Sequence, residues 1–269
     1  MNGERQLPSF LMCPPDYYGV EYEINPWMDV RRNATREVAR AQWNALAGAL
    51  GSLPGVTVNV IEPRPGLPDM VFAANAGLVV GKRFIASRFR PPQRRGETPH
   101  YERWFADRGY QVERLPEDIF FEGEGDALRS GDTWFVGYYF RSDARAHERL
   151  SGLLGQETLP LRLIDPRYYH LDTCFHPLEE DSAIVYPDAF DEYSRQVLHD
   201  RFPRIIAVSD EEAERFCCNA VVVGKTVITA AGCPILRGDL ERRGYDVRAL
   251  GFSEYIKAGG AAKCLVLGL

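Results

Sequence analysis

Residues 70–87 have the sequence MVFAANAGLVVGKRFIAS, in which two short apolar runs flank a Gly-Lys turn. This pattern is typical of a β-hairpin with a tight turn. Three further stretches have the same form, with turns at Ser-Gly-Asp, at a Glu/Asp cluster and again at Gly-Lys: ALRSGDTWFVGYYF (127–140), CFHPLEEDSAIVYP (174–187) and CNAVVVGKTVITAA (218–231). The chain is therefore predicted to repeat one supersecondary unit.

Amphipathic helical stretches separate the hairpins, and a short strand follows each helix. TPHYERWFADRGY (98–110) and ILRGDLERRGY (235–245) both end on a Gly-Tyr pair whose glycine suits a helix C-cap. The strands QVERL (111–115) and DVRAL (246–250) come next. The unit is thus strand, strand, helix, strand, repeated about four or five times.

Paired hairpins argue against a doubly wound parallel sheet, which needs clean strand–helix alternation. Units that bury little alone commonly close around an axis. We therefore predict an α/β propeller of pseudo-symmetric ββαβ modules around a central pocket, forming one domain over residues 1–269. The terminal pieces FLMCPP (10–15) and AKCLVLGL (262–269) are predicted to complete one module together.

Composition and charge narrow the class of protein. The 269 residues are 45% hydrophobic and 26% charged, which is typical of a globular chain. A net charge of −6 gives no basic field for nucleic acid. No apolar run reaches the roughly 18 residues of a membrane span, and the first residues lack a signal-peptide core. We expect a cytoplasmic protein without nucleic-acid or membrane partners; the sequence leaves a homo-oligomer open.

Cysteine and histidine spacing gives no sign of a metal site. The six cysteines include no CxxC pair, and the five histidines form no HExxH motif. A chain of this length without a secretion signal also needs no disulfides. We therefore expect neither metal nor other cofactor, and each cysteine is by default a small buried hydrophobe.

Cys264 is the cysteine whose neighbours suggest chemistry. It lies in KAGGAAKCLVLGL (257–269), after two glycines and two alanines and before an apolar strand. The functional interpretation is a nucleophile at the mouth of a strand, with Gly259 and Gly260 allowing backbone to approach a ligand. The alternative is a buried strand cysteine beside a flexible loop, and local sequence alone favours it.

His170 and Asp172 alternate in YYHLDTCFHP (168–177). On an extended strand this spacing would place both side chains on one face, as a general acid/base beside a carboxylate for a cationic substrate. A satisfied core histidine and a capping aspartate are the alternative.

Three acids alternate in FFEGEGDALRSG (120–131), namely Glu122, Glu124 and Asp126. Acids that share one face repel one another unless a cation lies among them, and a planar guanidinium would suit them. A solvated acidic turn is the alternative.

Three more residues could line a pocket. Arg141 follows an apolar strand and could bind a carboxylate, and Arg94 belongs to a basic loop that could reach the same place. Asn75 stands at a strand end before Gly77. Surface and turn roles are the alternatives. If the modules close into a ring, however, Asn75 faces the same axis as Asp126, Asp172 and Cys264.

Five segments, spread over nearly the whole chain and in the family's order, resemble the guanidine-modifying superfamily of the pentein fold. They are MCPPDYYGVEYEINPWM (12–28), VFAANAG (71–77), FEGEGDAL (121–128), HLDT (170–173) and GGAAKC (259–264). The superfamily includes arginine deiminases, dimethylargininases, amidinotransferases and arginine dihydrolases. The chain most resembles the arginine dihydrolase and dimethylargininase-like members, which implies a small-molecule substrate, arginine or a methylated arginine.

The resemblance implies roles for the catalytic residues and the acids. Cys264 would be the nucleophile and His170 the acid/base, with Glu122 beside them. Asp126 and Asp172 would hold the guanidinium.

The resemblance also implies roles for the remaining pocket residues. Arg141 and Arg94 would be candidates for the substrate carboxylate, and Asn25 and Asn75 would be further pocket residues. Many deiminases and dimethylargininases carry an acid where this chain has Asn75, whereas dihydrolases resemble it in having asparagine.

The expected reaction is therefore arginine dihydrolysis to ornithine, carbon dioxide and ammonia through a covalent thiouronium on Cys264. A dimethylargininase or deiminase that releases citrulline is the alternative enzyme. The pentein fold also includes ribosome-binding factors that do no chemistry, but those lack the Cys/His pair and the acids.

Overall fold

Short strands grouped into small sheets form the framework of the molecule. The computed structural model describes residues 8–269. Over that range it has fifteen strands, in chain order β1 (Ser9–Met12), β2 (Thr57–Val60), β3 (Gly77–Val80), β4 (Arg83–Ala86), β5 (Gln111–Arg114), β6 (Ala127–Ser130), β7 (Thr133–Tyr138), β8 (Glu157–Arg162), β9 (Phe175–Glu179), β10 (Ser182–Val185), β11 (Arg204–Ala207), β12 (Val221–Val223), β13 (Thr226–Ala230), β14 (Asp246–Leu250) and β15 (Leu267–Gly268). They pair as five three-stranded sheets, ordered β15-β1-β2, β3-β4-β5, β6-β7-β8, β9-β10-β11 and β12-β13-β14.

A helix connects the middle strand of each sheet to its parallel neighbour. In every sheet the other pair is antiparallel. The parallel pairs need such a crossover, whereas a tight turn joins antiparallel strands. The helices described are α1 (Arg36–Gly51), α2 (Thr98–Ala106), α3 (Arg145–Leu154), α4 (Glu192–Arg201), α5 (Asp210–Ala213), α6 (Pro234–Arg242) and α7 (Ser253–Ile256). We call each sheet with its crossover helix a blade.

The predicted ββαβ modules are confirmed. The four predicted hairpins are β3–β4, β6–β7, β9–β10 and β12–β13, and their turns fall at the predicted places. The two ends of the chain also form one blade, because Phe10 pairs with Gly268 and Leu11 with Leu267. That the whole of residues 1–269 is one domain stays a prediction.

The crossover helices bury one face each. In α1 the buried residues are Ala39, Leu46 and Leu50, which share one side of the helix. The C-cap residues are Asp107 for α2 and Arg243 for α6 rather than the predicted glycines. Gly109 and Gly244 follow them within two residues and turn the chain with φ of +74° and +82°. Within residues 8–269 no helix has the length and apolar character needed to span a membrane.

Short turns precede one strand in each of four antiparallel pairs, and six of the nine predicted site residues lie in these turns or directly beside them: Asn75, Glu122, Asp126, His170, Asp172 and Cys264. The turn Ala73–Ala76 contacts the turns Gly123–Gly125 and Lys263–Leu265, and Gly123–Gly125 contacts Leu171–Thr173. Each is one turn of 3₁₀ helix. The blades therefore place these turns together at one end of the sheets, around the axis that they share.

Two sequence predictions about these turns are wrong. His170 and Asp172 do not alternate on a strand, because Leu171–Thr173 is helical and only His170 before it is extended. Likewise Gly123–Gly125 is a helical turn, so Glu122, Glu124 and Asp126 do not share one face. Gly123, with φ of +62°, starts the tight turn at Gly123–Gly125. The turn Leu171–Thr173 is closed instead by the Thr173 hydroxyl, which donates to His170 O at 2.6 Å.

Candidate active site

Six of the nine predicted site residues lie in or beside the converging turns. Arg94 and Arg141 bond to Asn75 and Glu122 there, and Asn25 bonds to the loop that leads into the turn of Cys264. Eight of the nine side chains are buried and Asn25 is half-buried. Their immediate neighbours differ, however, and they divide into a group around the thiol and a group around the imidazole.

Cys264 lies in the turn Lys263–Leu265 and is buried. Its thiol donates to Asp172 Oδ2 at 3.2 Å and accepts a hydrogen bond from Asn219 Nδ2 at 3.1 Å. Burial and the neighbouring carboxylate of Asp172 raise the pKa of the thiol well above its ordinary value. These surroundings favour the neutral thiol, and a cation beside Cys264 would help to ionise it.

Asp172 has one oxygen that no described residue satisfies. Its Oδ2 accepts from the Cys264 thiol, whereas Oδ1 is buried and has no hydrogen-bond partner among residues 8–269. Burial raises the pKa of Asp172 to about 7. A buried acceptor without a donor is costly, so this oxygen marks a place for a donor from outside the chain.

Asp126 is held rigidly from two sides. The Ser142 hydroxyl donates to Oδ2 at 2.6 Å, and the Leu171 backbone N–H donates to Oδ1 at 3.1 Å. Burial raises the pKa of Asp126 to about 6. Two carboxyls with raised pKa values thus adjoin the turn Leu171–Thr173, and both would ionise more readily next to a cation.

Glu122 links the imidazole of His170 to the guanidinium of Arg141. His170 Nε2 lies 2.8 Å and Arg141 Nη1 3.0 Å from the same oxygen, Oε2, while the Arg90 backbone N–H donates to Oε1. Burial acts to raise the pKa of Glu122, but Arg141 and His170 outweigh it and hold the pKa well below its usual range. Glu122 is therefore a carboxylate that fixes His170 with Nε2 as the protonated nitrogen.

Glu124, the remaining acid of the acidic stretch, points elsewhere. Its Oε2 accepts from Lys263 Nζ at 2.7 Å and from the Gly268 backbone N–H at 3.0 Å. It ties the turn of Cys264 and strand β15 to the turn Gly123–Gly125. Its role is structural, in contrast to Glu122 and Asp126.

Asn75 is oriented by Arg94. Arg94 Nη1 donates to Asn75 Oδ1 at 2.8 Å, which leaves Asn75 Nδ2 facing His170 Nδ1 at 3.4 Å. The hydrogen-bond network thus assigns Nδ1 of His170 as the nitrogen with a lone pair. Gly125 permits this approach, because a Cβ atom there would lie 2.3 Å from Asn75 Nδ2.

The two predicted carboxylate-binding arginines are both engaged with the chain itself. Besides Asn75, Arg94 forms a bidentate ion pair with Glu97 at 2.8 and 2.9 Å. Arg141 donates to Ile24 O as well as to Glu122, and its guanidinium stacks 4.6 Å above the Tyr169 ring. Neither presents an unoccupied fork here, and a role at a substrate carboxylate stays a prediction for both.

Asn25 holds the loop that precedes Cys264. Its Nδ2 donates to Ala258 O at 3.0 Å, and its Oδ1 accepts the Trp27 backbone N–H at 2.9 Å. A Cβ atom at Gly259, where φ is +81°, would approach Asn25 Oδ1 to 3.0 Å, and one at Gly260 would lie 2.7 Å from the Phe72 ring. The two glycines therefore admit protein groups, and they fix the path of the loop into Cys264.

Sequence reasoning missed Asn219 and Asp69. Asn219 was identifiable, because NAVVVGK (219–225) repeats the form of NAGLVVGK (75–82) in the hairpin where no site residue was assigned. Asp69 gave no such signal. It is buried with Oδ1 unpartnered among residues 8–269, and burial raises its pKa.

No metal centre is visible in the part of the chain that the structure describes. Residues 8–269 contain no group of three or more His, Cys, Asp or Glu side chains arranged to hold an ion. All six cysteines lie in this range, and each is a buried free thiol.

Comparison with known proteins gives close relatives of two kinds. The chain is 44% identical over 262 residues to the bifunctional arginine dihydrolase/ornithine cyclodeaminase ArgZ of Synechocystis, a match that covers 96% of this chain and 37% of that protein. The chain thus spans little more than a third of that relative. It is 38% identical to the N(G),N(G)-dimethylarginine dimethylaminohydrolase of Mycobacterium tuberculosis, covering 96% of this chain and 84% of that one.

Solved structures agree with both likenesses. The N-terminal domain of ArgZ bound to product, an arginine dihydrolase from the ornithine-ammonia cycle in cyanobacteria, superposes with a TM-score of 0.93 at 44% identity and 97% coverage of both chains. The dimethylarginine enzyme of Pseudomonas aeruginosa complexed with citrulline superposes with a TM-score of 0.83 at 25% identity, covering 98% of this chain and all of that one.

The family model described as N,N dimethylarginine dimethylhydrolase, eukaryotic, matches residues 21–269. This match confirms the resemblance to the guanidine-modifying superfamily that the sequence motifs indicated. Taken with the fold and the Cys264, His170 and Glu122 arrangement, it shows that the chain belongs to the N,N dimethylarginine dimethylhydrolase family.

Proposed function

We propose that this chain hydrolyses the guanidinium group of arginine through a covalent intermediate on Cys264, and that it is an arginine dihydrolase. The observation that carries the proposal is the unpartnered Asp172 Oδ1 beside the Cys264 thiol. A buried acceptor next to a nucleophile calls for a substrate that brings its own N–H donors and positive charge.

The guanidinium would lie against Asp172 and Asp126. Each carboxylate can accept N–H groups from a planar cation, and a bidentate charge-assisted contact fixes its orientation. The same cation would lower the pKa of the thiol and so offset the effect of burial and of Asp172. Binding of the substrate would therefore generate the nucleophile.

His170 would transfer the protons. The thiol proton of Cys264 passes to His170 Nδ1, and the thiolate attacks the guanidinium carbon. As one C–N bond breaks, His170 gives that proton to the departing ammonia. The product of this step is a thiouronium on Cys264. Water then loses a proton to His170 Nδ1 and attacks the same carbon, which releases the thiolate and citrulline. Glu122, bound to Nε2, stabilises the imidazolium in both steps.

A dihydrolase repeats the cycle on the neutral ureido group. The thiolate expels a second ammonia, and water releases a carbamate that decomposes to ornithine and carbon dioxide. One arginine and two waters thus give ornithine, carbon dioxide and two ammonia molecules. Asn75 supports this second round, because an amide can serve a neutral urea as donor or acceptor, whereas a carboxylate only accepts.

The substrate carboxylate would be bound by Arg141, which would exchange its contact with Ile24 O for the ligand. Arg94 would act mainly through Asn75, since Glu97 and Asn75 already occupy its donors. The relative with 44% identity is named an arginine dihydrolase, and a solved structure of the same kind contains its product, which supports a small amino-acid substrate. We propose no cofactor for this reaction.

A dimethylargininase that gives citrulline and an alkylamine is the second candidate. It is favoured by the family model and by the relative of 38% identity, which covers most of its own length. The two candidates differ in whether citrulline is released or retained for another attack.

Quantitative product analysis separates them. The purified chain is incubated with arginine, monomethylarginine, dimethylarginine and agmatine in turn, and products are measured by mass spectrometry with ammonia assayed in parallel. Ornithine with two ammonia per arginine supports the dihydrolase. Citrulline with an alkylamine from the methylated arginines supports the second candidate, citrulline with one ammonia from arginine indicates a deiminase instead, and no turnover of any of the four rejects all of these activities.

A further inference from the structure

We infer that Asn219 is a catalytic residue whose side-chain amide holds the Cys264 sulfur for attack and stabilises its thiolate. The inference rests on the proposed function in one respect, that Cys264 is the nucleophile. It adds a residue from the fourth hairpin to a site otherwise built from the other blades.

The amide of Asn219 binds both the sulfur and the backbone of the nucleophile. Nδ2 donates to Cys264 Sγ at 3.1 Å, and Oδ1 accepts the Cys264 backbone N–H at 3.1 Å. Oδ1 also accepts the Ala261 N–H at 3.1 Å, and Nδ2 donates to Asp172 O at 3.0 Å. One planar group therefore fixes the thiol relative to the backbone on both sides of it.

The orientation of this amide follows from its partners. Because two backbone N–H groups point at one end, that end must be the oxygen, and the nitrogen must face the sulfur. Asn219 is fully buried, so the amide cannot turn outward and exchange these bonds for water. The donor aimed at Sγ is thus enforced by the fold.

Such a donor is needed because burial and the carboxylate of Asp172 oppose ionisation of the sulfur. Burial and Asp172 raise the pKa of the Cys264 thiol, whereas Asn219 Nδ2 and the backbone N–H of Ala261 act to lower it. Asn219 also binds that backbone N–H. A preorganised donor aimed at developing negative charge costs no reorganisation when the charge forms.

The experiment uses Asn219→Asp, which keeps the acceptor for the Cys264 and Ala261 N–H groups but replaces the donor with an acidic oxygen. Asn59→Asp is the matched control, since Asn59 on β2 donates to Ser9 and Phe10 and lies outside the site. The rate of iodoacetamide alkylation at Cys264, in which the thiolate displaces iodide, is followed from pH 6 to 10.5 by peptide mass spectrometry. Melting temperature is measured alongside.

We expect the midpoint of the Cys264 profile to rise by about one pH unit or more in Asn219→Asp, because an ionised sulfur loses its donor and gains an acidic neighbour. At a fixed pH below the midpoint, the alkylation rate should be about threefold lower for each pH unit by which the midpoint rises. This figure includes the greater nucleophilicity of a more basic thiolate. Asn59→Asp should have the wild-type midpoint. A folded Asn219→Asp protein with an unshifted midpoint overturns the inference.

A measurement on the wild-type chain serves if Asn219→Asp does not fold. In protein labelled with ¹⁵N-asparagine, one side-chain amide should titrate with the same midpoint as Cys264 alkylation and lose that titration in Cys264→Ser. Absence of any such amide overturns the inference. The proposed function is tested separately by turnover: a wild type that converts none of arginine, its methylated forms and agmatine contradicts the proposed function, whereas an active wild type without the expected titration contradicts only the inference.

Discussion

Asn75 and Asn219 occupy the same place in two blades, at the head of the sequences NAGLVVGK and NAVVVGK, yet their surroundings differ. Asn75 lies in a network of charges, with Arg94 on its oxygen and His170 at its nitrogen. Asn219 has no charged side chain among its own hydrogen-bond partners in the described chain; it binds backbone groups and the thiol of Cys264.

The difference shows how a repeated fold builds an asymmetric site. The turn before each hairpin supplies one inward polar group, and the residues that pack behind it decide what that group does. Behind Asn75 lies the Arg94–Glu97 ion pair, which orients the amide and so sets which nitrogen of His170 carries the proton. Behind Asn219 lie backbone groups, which set the position of its amide against the Cys264 sulfur. The site therefore has an imidazole side that depends on charge and a thiol side that depends on geometry.

The largest effect is expected on the thiol side. Cys264→Ser should lower kcat by at least about 10⁴-fold, since removal of a nucleophile leaves only binding and charge stabilisation. The hydroxyl replaces a buried thiol of similar size, so the melting temperature should change little. Steady-state kinetics and calorimetry provide the test, with Cys13→Ala as a control at a buried cysteine outside the site. Residual activity within tenfold of wild type would exclude Cys264 as the nucleophile.

The second effect lies on the imidazole side and should appear in both rate and stability. Glu122→Gln keeps the shape but removes the charge that pairs with Arg141 and His170. We expect kcat to fall by about 10²–10⁴-fold, because the imidazolium loses its counterion. We also expect about 3–5 kcal/mol of lost stability from the uncompensated buried Arg141.

Kinetics and chemical denaturation of Glu122→Gln should therefore show a loss of both kcat and stability, whereas Cys264→Ser should lose kcat with little change in stability. Unchanged stability with a slow rate would mean that Arg141 finds another partner, and an unchanged rate would remove Glu122 from the mechanism.

The third effect is a pH dependence of binding that belongs to the two carboxyls with raised pKa values. Burial raises the pKa of Asp172 to about 7 and that of Asp126 to about 6, so in the empty site both bind protons at mildly acidic pH. A guanidinium favours their ionised forms and expels those protons. Affinity should therefore weaken as the pH falls through 7 and then 6, by up to about 100-fold between pH 7.5 and 5.5.

Isothermal titration of arginine into Cys264→Ser measures this linkage without turnover. The heat of binding should depend on the ionisation enthalpy of the buffer, with proton release that grows as the pH falls from 7.5. An affinity independent of pH over this range would mean that both carboxyls are already ionised before the ligand binds.

The sequence predicted the blades better than the site within them. The hairpins and helices follow from local periodicity and from turn glycines such as Gly81 and Gly131, which need no knowledge of distant contacts. The residues that face the axis were predicted by their place before each first strand, and the chain does bring Asn75, Asp126, Asp172 and Cys264 to converging turns.

What could not be predicted was the set of partners. That Arg94 binds Glu97 and Asn75, and that Glu124 binds Lys263 rather than its neighbours in sequence, depends on how separate blades pack. Alternation of His170 and Asp172 also gave the wrong local geometry, because a helical turn and a strand can carry the same polar spacing. In a segment only one turn long, tertiary contacts decide the local structure, and the alternation of polar residues does not predict it.

Substitution of each asparagine by aspartate compares Asn75 and Asn219 directly. Asn75→Asp retains an acceptor for Arg94 but presents an oxygen, where Nδ2 was, to His170 Nδ1. That change turns an acceptor towards His170 Nδ1, and it removes the donor available to a neutral urea. The first hydrolysis should survive, while the second slows, so the ratio of ornithine to citrulline should fall at least about tenfold.

Asn219→Asp should have a different effect, because it makes the Cys264 thiolate, which both rounds require, harder to form. It should slow both rounds together and leave the product ratio near that of the wild type. Product ratios measured at low conversion for the two variants, with Asn59→Asp as control, decide the matter. If both substitutions change the ratio equally, the two asparagines share one function and the division of the site into an imidazole side and a thiol side is wrong.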